Sequence, residues 1–448
     1  METNGILLKK KYLICNGLIV NPDKSEYADI ATEYGKIIAI GKLNPSEYAG
    51  FEYIDANGKL ILPGGIDPHV HFALPTPAGN SCDDFLSGSR AALSGGTSAI
   101  IDFVTPKRGQ SLIEAYHLRQ KEAESSLCSF KLHMGISEWN ETVKQEVIQC
   151  IREFGIKSFK AYLAYKTSIG ISVDDLRQLM MVVGNEGGLV LVHCEEGDKI
   201  SELQKKYISE GKTHAAYHAL SRPPETEINA IKHVIKLSEE TSCPAYIVHI
   251  STAEGARNVR LAKEKGLKVY GETCIQYLML NDEVYNPDKE NHQVLPYVIS
   301  PPIRSEENRT GLWEELLKGA IDTIATDHCP FNTFGQKDKG KDDFTKIPNG
   351  AGGVEFRMGL IYTYGVLTQK ISLQEMVKLT SSNAAIIFGW GDNKGKLRVG
   401  FDADLLIWEP EPTGIISQKD QYQRCDSNIY EGTHIRGKVF DVISSRLH

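Results

Sequence analysis

The sequence lacks the features that define several common classes of protein. Its 50 lysine and arginine residues against 58 aspartate and glutamate residues give a net charge of −8, whereas a nucleic-acid-binding surface needs a basic excess. The apolar runs, such as Leu189–Val192, are far shorter than the roughly 20 residues that span a bilayer. The first residues show no basic segment followed by a long apolar stretch, so we expect no secretory signal. These absences argue against nucleic-acid and membrane partners.

Cysteine pairs with the spacing of a metal site are also absent. The nine cysteines are scattered and odd in number, and none forms a CxxC pair. This pattern argues against a disulfide framework or a cysteine-ligated zinc, and we expect a reducing, cytoplasmic compartment. Hydrophobic residues make up 41% of the chain and charged residues 24%, which excludes wholesale disorder and fibrous repeats.

Both ends of the chain carry strand-like sequence. The segments Tyr12–Val20 and Asp29–Gly41 are rich in β-branched residues and are interrupted by Asn16-Gly17 and Tyr34-Gly35, which we interpret as turns. Similar segments close the chain, around Leu397, Asp404–Glu409 and Ile435–Ile443. Because chain termini often lie close together, we expect residues 1–60 and 393–448 to form one discontinuous β-sandwich domain.

Between the two ends, short apolar strand candidates alternate with helical stretches such as Ser111–Ser125, Val173–Val183 and Glu225–Glu240. Eight βα units over residues 61–392 predict an α/β fold, a (β/α)₈ TIM barrel with insertions. An open doubly wound sheet is the alternative, but no glycine-rich dinucleotide fingerprint follows the first strand. The strand candidates are Leu60–His71, Ser98–Val104, Phe130–Ile136, Ser158–Leu163, Leu189–Glu195, Ala245–His249, Lys268–Thr273 and Thr323–Asp327.

Histidines and one aspartate end several of these strands. In His69-Val70-His71 the two imidazoles are two residues apart, so they face the same side of a strand and can converge on one cation. This pair alone is equally consistent with two half-buried structural histidines. However, His193, His249 and Asp327 each close another apolar strand, and a barrel places its chemistry at these carboxyl ends. Together they predict a metal site.

Lys160 lies within the apolar strand Ser158–Leu163. One interpretation is a buried lysine paired with an acid. As an ammonium group it could not bind a metal, because it has only donors. A carbamate, formed by addition of CO₂ to the neutral amine, would instead be an anionic ligand able to bridge two cations. Spacing alone does not decide between these interpretations.

Several longer motifs resemble the dihydropyrimidinase and hydantoinase branch of the amidohydrolase superfamily, the cyclic amidohydrolases. The resemblance extends over nearly the whole chain, including the terminal segment Gly400–Leu405. The motifs that carry it are Gly64–His71, Asp83–Phe85, Ala91–Thr97, Ser158–Lys166, Val192–Glu195, Gly271–Cys274, Ser300–Arg304, Thr326–Phe331 and Ile347–Gly350.

The resemblance implies a binuclear metal site with Lys160 as a carboxylated bridge. His69, His71, Lys160 and Asp327 would hold one cation, and Lys160, His193 and His249 the other. All six implied ligand positions carry the expected residue type, which favours an active enzyme over a catalytically silent relative. Such ligands suit zinc best, and also manganese, iron or cobalt. The resemblance also implies a homotetramer.

The implied reaction is hydrolytic opening of a cyclic amide by a hydroxide that the two cations share. Asp327 would act as the base and return the proton to the departing ring nitrogen. By the resemblance, Tyr165 donates its hydroxyl to the oxyanion, and the backbone at Ser300 and Asn349 binds the cyclic imide. Without the resemblance, we would interpret Tyr165 as a core aromatic residue, Ser300 as part of a turn before proline and Asn349 as part of an Asn-Gly turn.

The substrate implied is 5,6-dihydrouracil, dihydrothymine or a 5-substituted hydantoin, opened to the N-carbamoyl amino acid. Dihydroorotate is disfavoured, because the position where dihydroorotases carry an arginine is Ala73. Allantoinase remains an alternative, because it shares the metal site. The segment Phe72–Gly79 departs from the family pattern at a loop that shapes the pocket in relatives, which leaves substrate preference and stereopreference open. Alternatives of other classes are a single-metal deaminase, which needs no bridging carbamate, and a non-catalytic assembly protein of the same fold.

The remaining histidines and cysteines receive structural interpretations. His328 either orients a neighbour or packs behind the site, and we interpret His133 as structural. Cys194, Cys274 and Cys329 adjoin site residues, but no motif supports a cysteine nucleophile. Four further histidines lie on helix or loop candidates and are predicted at the surface: His117, His214, His218 and His233.

Overall fold

The computed structural model describes residues 10–286, 288 and 290–447. Strands occur from the first to the last part of the chain that is described. In chain order they are β1 Tyr12–Val20, β2 Ser25–Glu33, β3 Lys36–Gly41, β4 Glu52–Asp55, β5 Leu60–Pro63, β6 Gly65–Val70, β7 Pro75–Thr76, β8 Gly79–Asn80, β9 Thr97–Val104, β10 Ser129–Gly135, β11 Ser158–Tyr162, β12 Leu189–His193, β13 Ala245–Ile247, β14 Val269–Cys274, β15 Thr323–Ala325, β16 Leu405–Ile415 and β17 His434–Ile443.

The α-helices lie mostly between successive barrel strands, and the three helical segments predicted above correspond to α2, α4 and α7. The helices are α1 Phe85–Ser94, α2 Leu112–Ala123, α3 Glu141–Phe154, α4 Val173–Asn185, α5 Gly197–Ser209, α6 Ala216–Leu220, α7 Pro224–Thr241, α8 Ala253–Glu264, α9 Ile275–Met279, α10 Asn291–Val294, α11 Glu306–Leu317, α12 Arg357–Ile361, α13 Leu373–Val377 and α14 Asn383–Ile387. Over the described ranges, no helix combines the length and the apolar character needed to cross a membrane.

Helix α4 shows why these segments fold as they do. The Ser172 side chain caps its N-terminus by accepting a hydrogen bond from the Asp175 amide, and the Asp175 carboxylate accepts one from the Ser172 amide. Its buried side chains recur at helical spacing, so a single face packs against the barrel. These side chains are Leu176, Leu179, Met180 and Val183.

Eight parallel strands form the barrel in the order β15-β14-β13-β12-β11-β10-β9-β6. Its ends meet where Val70, the last residue of β6, forms a parallel bridge with His328, just after β15. The buried guanidinium of Arg357 joins the same seam, donating to the carbonyls of Ile66 at 2.8 Å and Ile324 at 2.9 Å. This nearly closed sheet confirms the predicted (β/α)₈ barrel over the open alternative.

Both ends of the chain contribute to one mixed sheet, as predicted. Its order is β17-β16-β5-β1-β2-β3, with β4 pairing beside β1. The segment Leu60–His71, predicted as one strand, is therefore two strands, because Leu60–Pro63 pairs with β1 and β16 while Gly65–Val70 enters the barrel. The domain boundaries 1–60 plus 393–448 and 61–392 stay a prediction.

One predicted turn in this sheet is wrong and another is confirmed. Asn16-Gly17 lies inside β1, where the pairing with β2 shifts register between Ile14 and Gly17. Asn16 has a φ of +67°, a left-handed conformation that asparagine tolerates better than most residues, so the extra residue is accommodated as a bulge. Tyr34-Gly35 is the predicted turn, joining the antiparallel pair β2 and β3.

Candidate metal centre and substrate cavity

The first three predicted ligands meet where β6 and β15 end. His69 and His71 lie two residues apart, and their Nε2 atoms are 3.2 and 3.1 Å from Oδ1 of Asp327. Asp327 follows β15 with a φ of +52°, a left-handed conformation that is uncommon outside glycine but that aspartate adopts more readily than most residues. The ligand atoms of these three residues all lie within 4.8 Å of one another, close enough to hold a metal ion.

His193 and His249 converge beside them from the ends of β12 and β13. The Nδ1 atom of His193 lies 3.0 Å from Nε2 of His249. The rings of His69 and His249 are 5.5 Å apart between centroids, so the two groups of ligands adjoin. Burial lowers the pKa of His69 and His249 well below the usual value and also lowers that of His193. Neutral imidazoles of this kind offer a lone pair to a metal.

Lys160 projects into the same cluster from β11. Its side chain is 1% exposed, and its Nζ atom has no hydrogen-bond partner among the described residues. The ammonium lies over the rings of Phe103 and Tyr162, 5.2 and 5.1 Å from their centroids. Burial lowers the pKa of Lys160 to about 8, so the neutral amine is far more abundant near neutral pH than it is for an ordinary lysine.

All nine predicted site residues line one cavity of about 640 Å³ at the carboxyl ends of the barrel strands. Tyr165 follows β11 with a φ of +58°, and Nδ2 of Asn349 lies 3.5 Å from its hydroxyl. Ser300 also lines the cavity and precedes a cis peptide bond to Pro301. Sequence segments far apart are thus brought to one rim, which is where such barrels carry their active sites.

Comparison with known proteins identifies the family to which the chain belongs. The model of the amidohydrolase family matches residues 60–439. The chain belongs to the amidohydrolase family. A dihydropyrimidinase from Dictyostelium discoideum is 39% identical over 440 residues, covering 97% of this chain and 85% of that protein. A D-hydantoinase from Geobacillus stearothermophilus is 39% identical over 434 residues, covering 96% of this chain and 91% of that protein.

Solved structures agree with this assignment. The crystal structure of a dihydropyrimidinase from Brevibacillus agri NCHU1002 superimposes with a TM-score of 0.94 at 37% sequence identity, covering 97% of this chain and 94% of that one. The amidohydrolase described here is therefore an enzyme of the dihydropyrimidinase and D-hydantoinase kind. The non-catalytic alternative is not favoured.

Two buried glutamates of this amidohydrolase support the histidines, and neither was predicted as a site residue. Glu272 on β14 lies 2.6 Å from Nδ1 of His69 and accepts the amide hydrogen of His249 at 3.0 Å. Glu195 lies 2.7 Å from Nε2 of His193. Each carboxylate therefore binds the ring nitrogen that faces away from the cluster, which orients the other nitrogen towards it. The motifs Gly271–Cys274 and Val192–Glu195 contained both residues, and their acidic positions were the available signal.

Arg222 supports Glu195 in turn. Its Nη1 atom lies 2.5 Å from Oε2 of Glu195, and both side chains are at most 4% exposed. Burial alone would raise the pKa of Glu195, but the charge of Arg222 and the hydrogen bond from His193 lower it to about 2. The same guanidinium lies 5.3 Å from the ring centroid of Tyr165. One arginine thus contacts both the carboxylate partner of a predicted ligand and the cavity tyrosine.

One histidine prediction is wrong. His218 is 2% exposed, and its Nε2 lies 2.8 Å from the Ile299 carbonyl and 3.4 Å from Oγ of Ser300. Its helix, α6, packs inward beside the cavity wall, which the helical pattern alone does not show. By contrast, His117 and His233 are exposed as predicted, and His214 is half-buried.

His133 and His328 are buried, and their contacts explain their positions. Nδ1 of His133 lies 2.7 Å from Oγ of Ser158, and its Nε2 lies 3.1 Å from the Pro68 carbonyl, so it links β10 to its neighbour β11 and to β6, two strands away. His328 lies 3.0 Å from Asp83, and its carbonyl accepts the His71 amide hydrogen at 2.8 Å. His328 therefore packs behind the site and fixes the backbone of a predicted ligand.

Proposed function

We propose that the protein is a binuclear metal hydrolase that opens a 5,6-dihydropyrimidine or a 5-substituted hydantoin to the N-carbamoyl amino acid. The observation that carries this proposal is the single cavity that all nine candidate site residues line. The relatives named dihydropyrimidinase and D-hydantoinase support the same substrate class. A cavity of about 640 Å³ leaves room for a ring and a substituent.

The residues present fit two divalent cations. His69, His71 and Asp327 would hold one, His193 and His249 the other, and Lys160 would bridge them as a carbamate. The unpartnered, buried Nζ of Lys160 and its pKa of about 8 support this assignment, because CO₂ adds only to the neutral amine. Nitrogen and oxygen ligands of this kind suit zinc, and also manganese, iron or cobalt. When bound, such cations lower the pKa of water towards neutrality and polarise a carbonyl.

Asp327 is placed to move the proton. Burial opposes its ionisation, but His69 and His71 outweigh this and hold the pKa of Asp327 well below its usual range. The carboxylate is therefore ionised and can accept a proton from the attacking water. It would then deliver this proton to the ring nitrogen, which is a poor leaving group unless protonated.

Tyr165, Ser300 and Asn349 would bind the substrate around this centre. The Tyr165 hydroxyl would donate to the carbonyl oxygen as negative charge develops on it. The backbone at Ser300 and Asn349 would bind the –CO–NH–CO– unit that dihydropyrimidines and hydantoins share. This recognition selects the cyclic imide and leaves the choice of ring substituent to the segment Phe72–Gly79, part of which lines the cavity.

The proposal is tested by measuring ring opening with dihydrouracil, dihydrothymine, several hydantoins, allantoin and dihydroorotate. We expect turnover of the first three classes and none of dihydroorotate. Metal analysis should find two cations per chain, and intact mass should show one added carboxyl group. A metal-replete enzyme that opened none of the dihydropyrimidines or hydantoins would overturn the proposal, and preferential turnover of allantoin would reassign the substrate. One cation and an unmodified Lys160 would favour a deaminase.

We also propose a cytoplasmic homotetramer. The nine cysteines are all free thiols, which fits a reducing compartment. The assembly is the one that the resemblance to cyclic amidohydrolases implies. Light scattering coupled to size-exclusion chromatography measures the mass in solution, and a mass of one or two chains would contradict the tetramer.

A further inference from the structure

Two cysteines stand apart from the other seven. Cys82 and Cys425 are partly exposed, whereas the remaining cysteines are buried. Cys82 ends the segment Phe72–Cys82, which lines the cavity through Leu74 and Thr76 and which we name the cavity loop. Cys425 lies far away in sequence, between β16 and β17. The proposed hydrolysis uses neither thiol.

The two thiols are neighbours. Each is the largest influence on the pKa of the other. Both also rest on the same short segment: Sγ of Cys82 lies 3.5 Å from Oε1 of Gln336, and Sγ of Cys425 lies 3.4 Å from the carbonyl oxygen of Phe331.

The backbone around the pair holds this arrangement from both sides. The Cys82 amide donates to the Pro330 carbonyl at 2.8 Å. The Arg424 amide donates to Oδ1 of Asp83 at 3.0 Å, so the residues next to the two cysteines are bonded to each other. Ser81 extends the network to the metal centre, since its Oγ donates to the carbonyl of His71 at 2.8 Å and accepts the Leu74 amide hydrogen at 2.9 Å.

We propose that Cys82 and Cys425 are an oxidisable pair, which forms a disulfide by reaction with a low-molecular-weight disulfide such as oxidised glutathione. Their shared contacts with residues 330–336 and the bond between their neighbours Arg424 and Asp83 place the two side chains together. Their partial exposure admits a small oxidant that the seven buried cysteines do not meet. A disulfide would join the cavity loop covalently to the segment between β16 and β17.

The chemistry of the pair indicates which thiol reacts first. The neighbouring Cys82, the Ser427 hydroxyl at 3.6 Å and the charge of Lys337 lower the pKa of Cys425. The neighbouring Cys425 and burial raise the pKa of Cys82. The thiolate is the nucleophile in thiol–disulfide exchange, and an attacking thiol works best when its pKa lies near the ambient pH. Cys425 is therefore the attacking thiol.

The reaction balances in two exchanges. The Cys425 thiolate attacks one sulfur of oxidised glutathione, forms a mixed disulfide and releases one glutathione thiolate. Cys82 loses its proton, attacks the Cys425 sulfur and releases the second glutathione thiolate. The two protein thiols are oxidised by two electrons, and one molecule of oxidised glutathione is reduced to two of glutathione, which take up the two protons.

The test uses the native full-length protein and does not depend on ring opening. The protein is incubated with oxidised glutathione, its free thiols are alkylated, and its peptides are analysed by mass spectrometry without reduction. We expect a cross-linked peptide pair containing Cys82 and Cys425, an intact mass lower by two hydrogens, and complete loss of alkylation at both positions. Dithiothreitol should restore both thiols.

Matched variants separate the pair from the other cysteines. Cys82→Ser should leave Cys425 as a stable glutathione adduct, and Cys15→Ser, which alters a buried cysteine in β1, should leave the cross-link unchanged. Persistent glutathione adducts on both cysteines of the wild-type protein, or no mass change, would overturn the proposal. A cross-link from Cys82 or Cys425 to any other cysteine would also overturn it.

Discussion

His193 and Glu195 are joined by a hydrogen bond of 2.7 Å that leaves Nδ1 of the imidazole facing His249. The carboxylate is itself paired with Arg222, so it stays ionised inside the barrel. A predicted ligand whose free nitrogen is oriented in this way could bind a metal without first having to change tautomer. The proposed metal centre would therefore depend on residues that do not themselves contact the metal.

Replacing Glu195 tests that dependence. Glu195→Gln keeps the shape but removes the charge that holds the Nε2 proton of His193, so we expect metal affinity to fall about 10–100-fold. Metal retention against a chelator gives the measurement. Glu202→Gln is the control, because Glu202 lies in an exposed pair with Lys199, and it should retain metal like the wild type. Equal retention in all three proteins would contradict the prediction.

Tyr165→Phe tests the proposed donor to the oxyanion. Removing one such hydroxyl should lower kcat by about 10²–10³, because the donor acts on charge that develops in the transition state. Steady-state rates with dihydrouracil and metal content per chain are measured together. The metal content should not change, and Tyr270→Phe, which alters a half-buried hydroxyl outside the cavity lining, should leave kcat unchanged. A fall in metal content equal to the fall in rate would show that Tyr165 supports the ligands instead.

Lys160 makes metal uptake dependent on CO₂ if it forms the bridge. We expect protein stripped of its metal to take up more metal when bicarbonate is added. The Lys160→Met variant should lose both this response and ring opening. Lys131→Met is a matched control, because burial also lowers the pKa of Lys131 to about 8. The Lys131 ammonium instead donates to the carbonyls of Phe388 and Gly389, outside the cavity. Bicarbonate-independent uptake by the wild type would count against the bridge.

Breaking the buried ion pair of Arg222 with Glu195 should lower the stability of the protein far more than breaking an exposed ion pair. Arg222→Met leaves a charged carboxylate uncompensated in the interior, so the free energy of unfolding should fall by about 3–5 kcal/mol. Arg152→Met removes an arginine that is 66% exposed and pairs with Glu186, and it should cost less than about 1 kcal/mol. Urea denaturation of both variants compares them directly, and similar losses would show that the Arg222 pair is not insulated from water.

Much of the fold followed from local pattern. The alternation of short apolar strands and amphipathic helices predicted the barrel, since each periodicity reports which face of an element is buried. Pattern could not separate Leu60–Pro63 from Gly65–Val70, because both are apolar and adjacent and only their pairing partners differ. Nor could it show that Asn16-Gly17 is a bulge inside a strand, since the same dipeptide favours a turn.

The residues of the candidate site likewise fall into those that local pattern predicted and those that it did not. Strand-end position identified His69, His71, His193, His249 and Asp327, because a parallel barrel brings all carboxyl ends to one rim. Resemblance, and not spacing, pointed to Lys160, Tyr165, Ser300 and Asn349 as members of the same site.

The sequence by itself determined the kind of barrel, the candidate ligand types and the family, because these depend on residue identity and periodicity along the chain. Only the tertiary structure decided which side chains support the ligands. Glu195 meets Arg222, Glu272 meets His69, and Cys82 meets Cys425 across separations of 27, 203 and 343 residues. Contacts over such separations depend on how the strands and loops pack in space, and no local pattern encodes them.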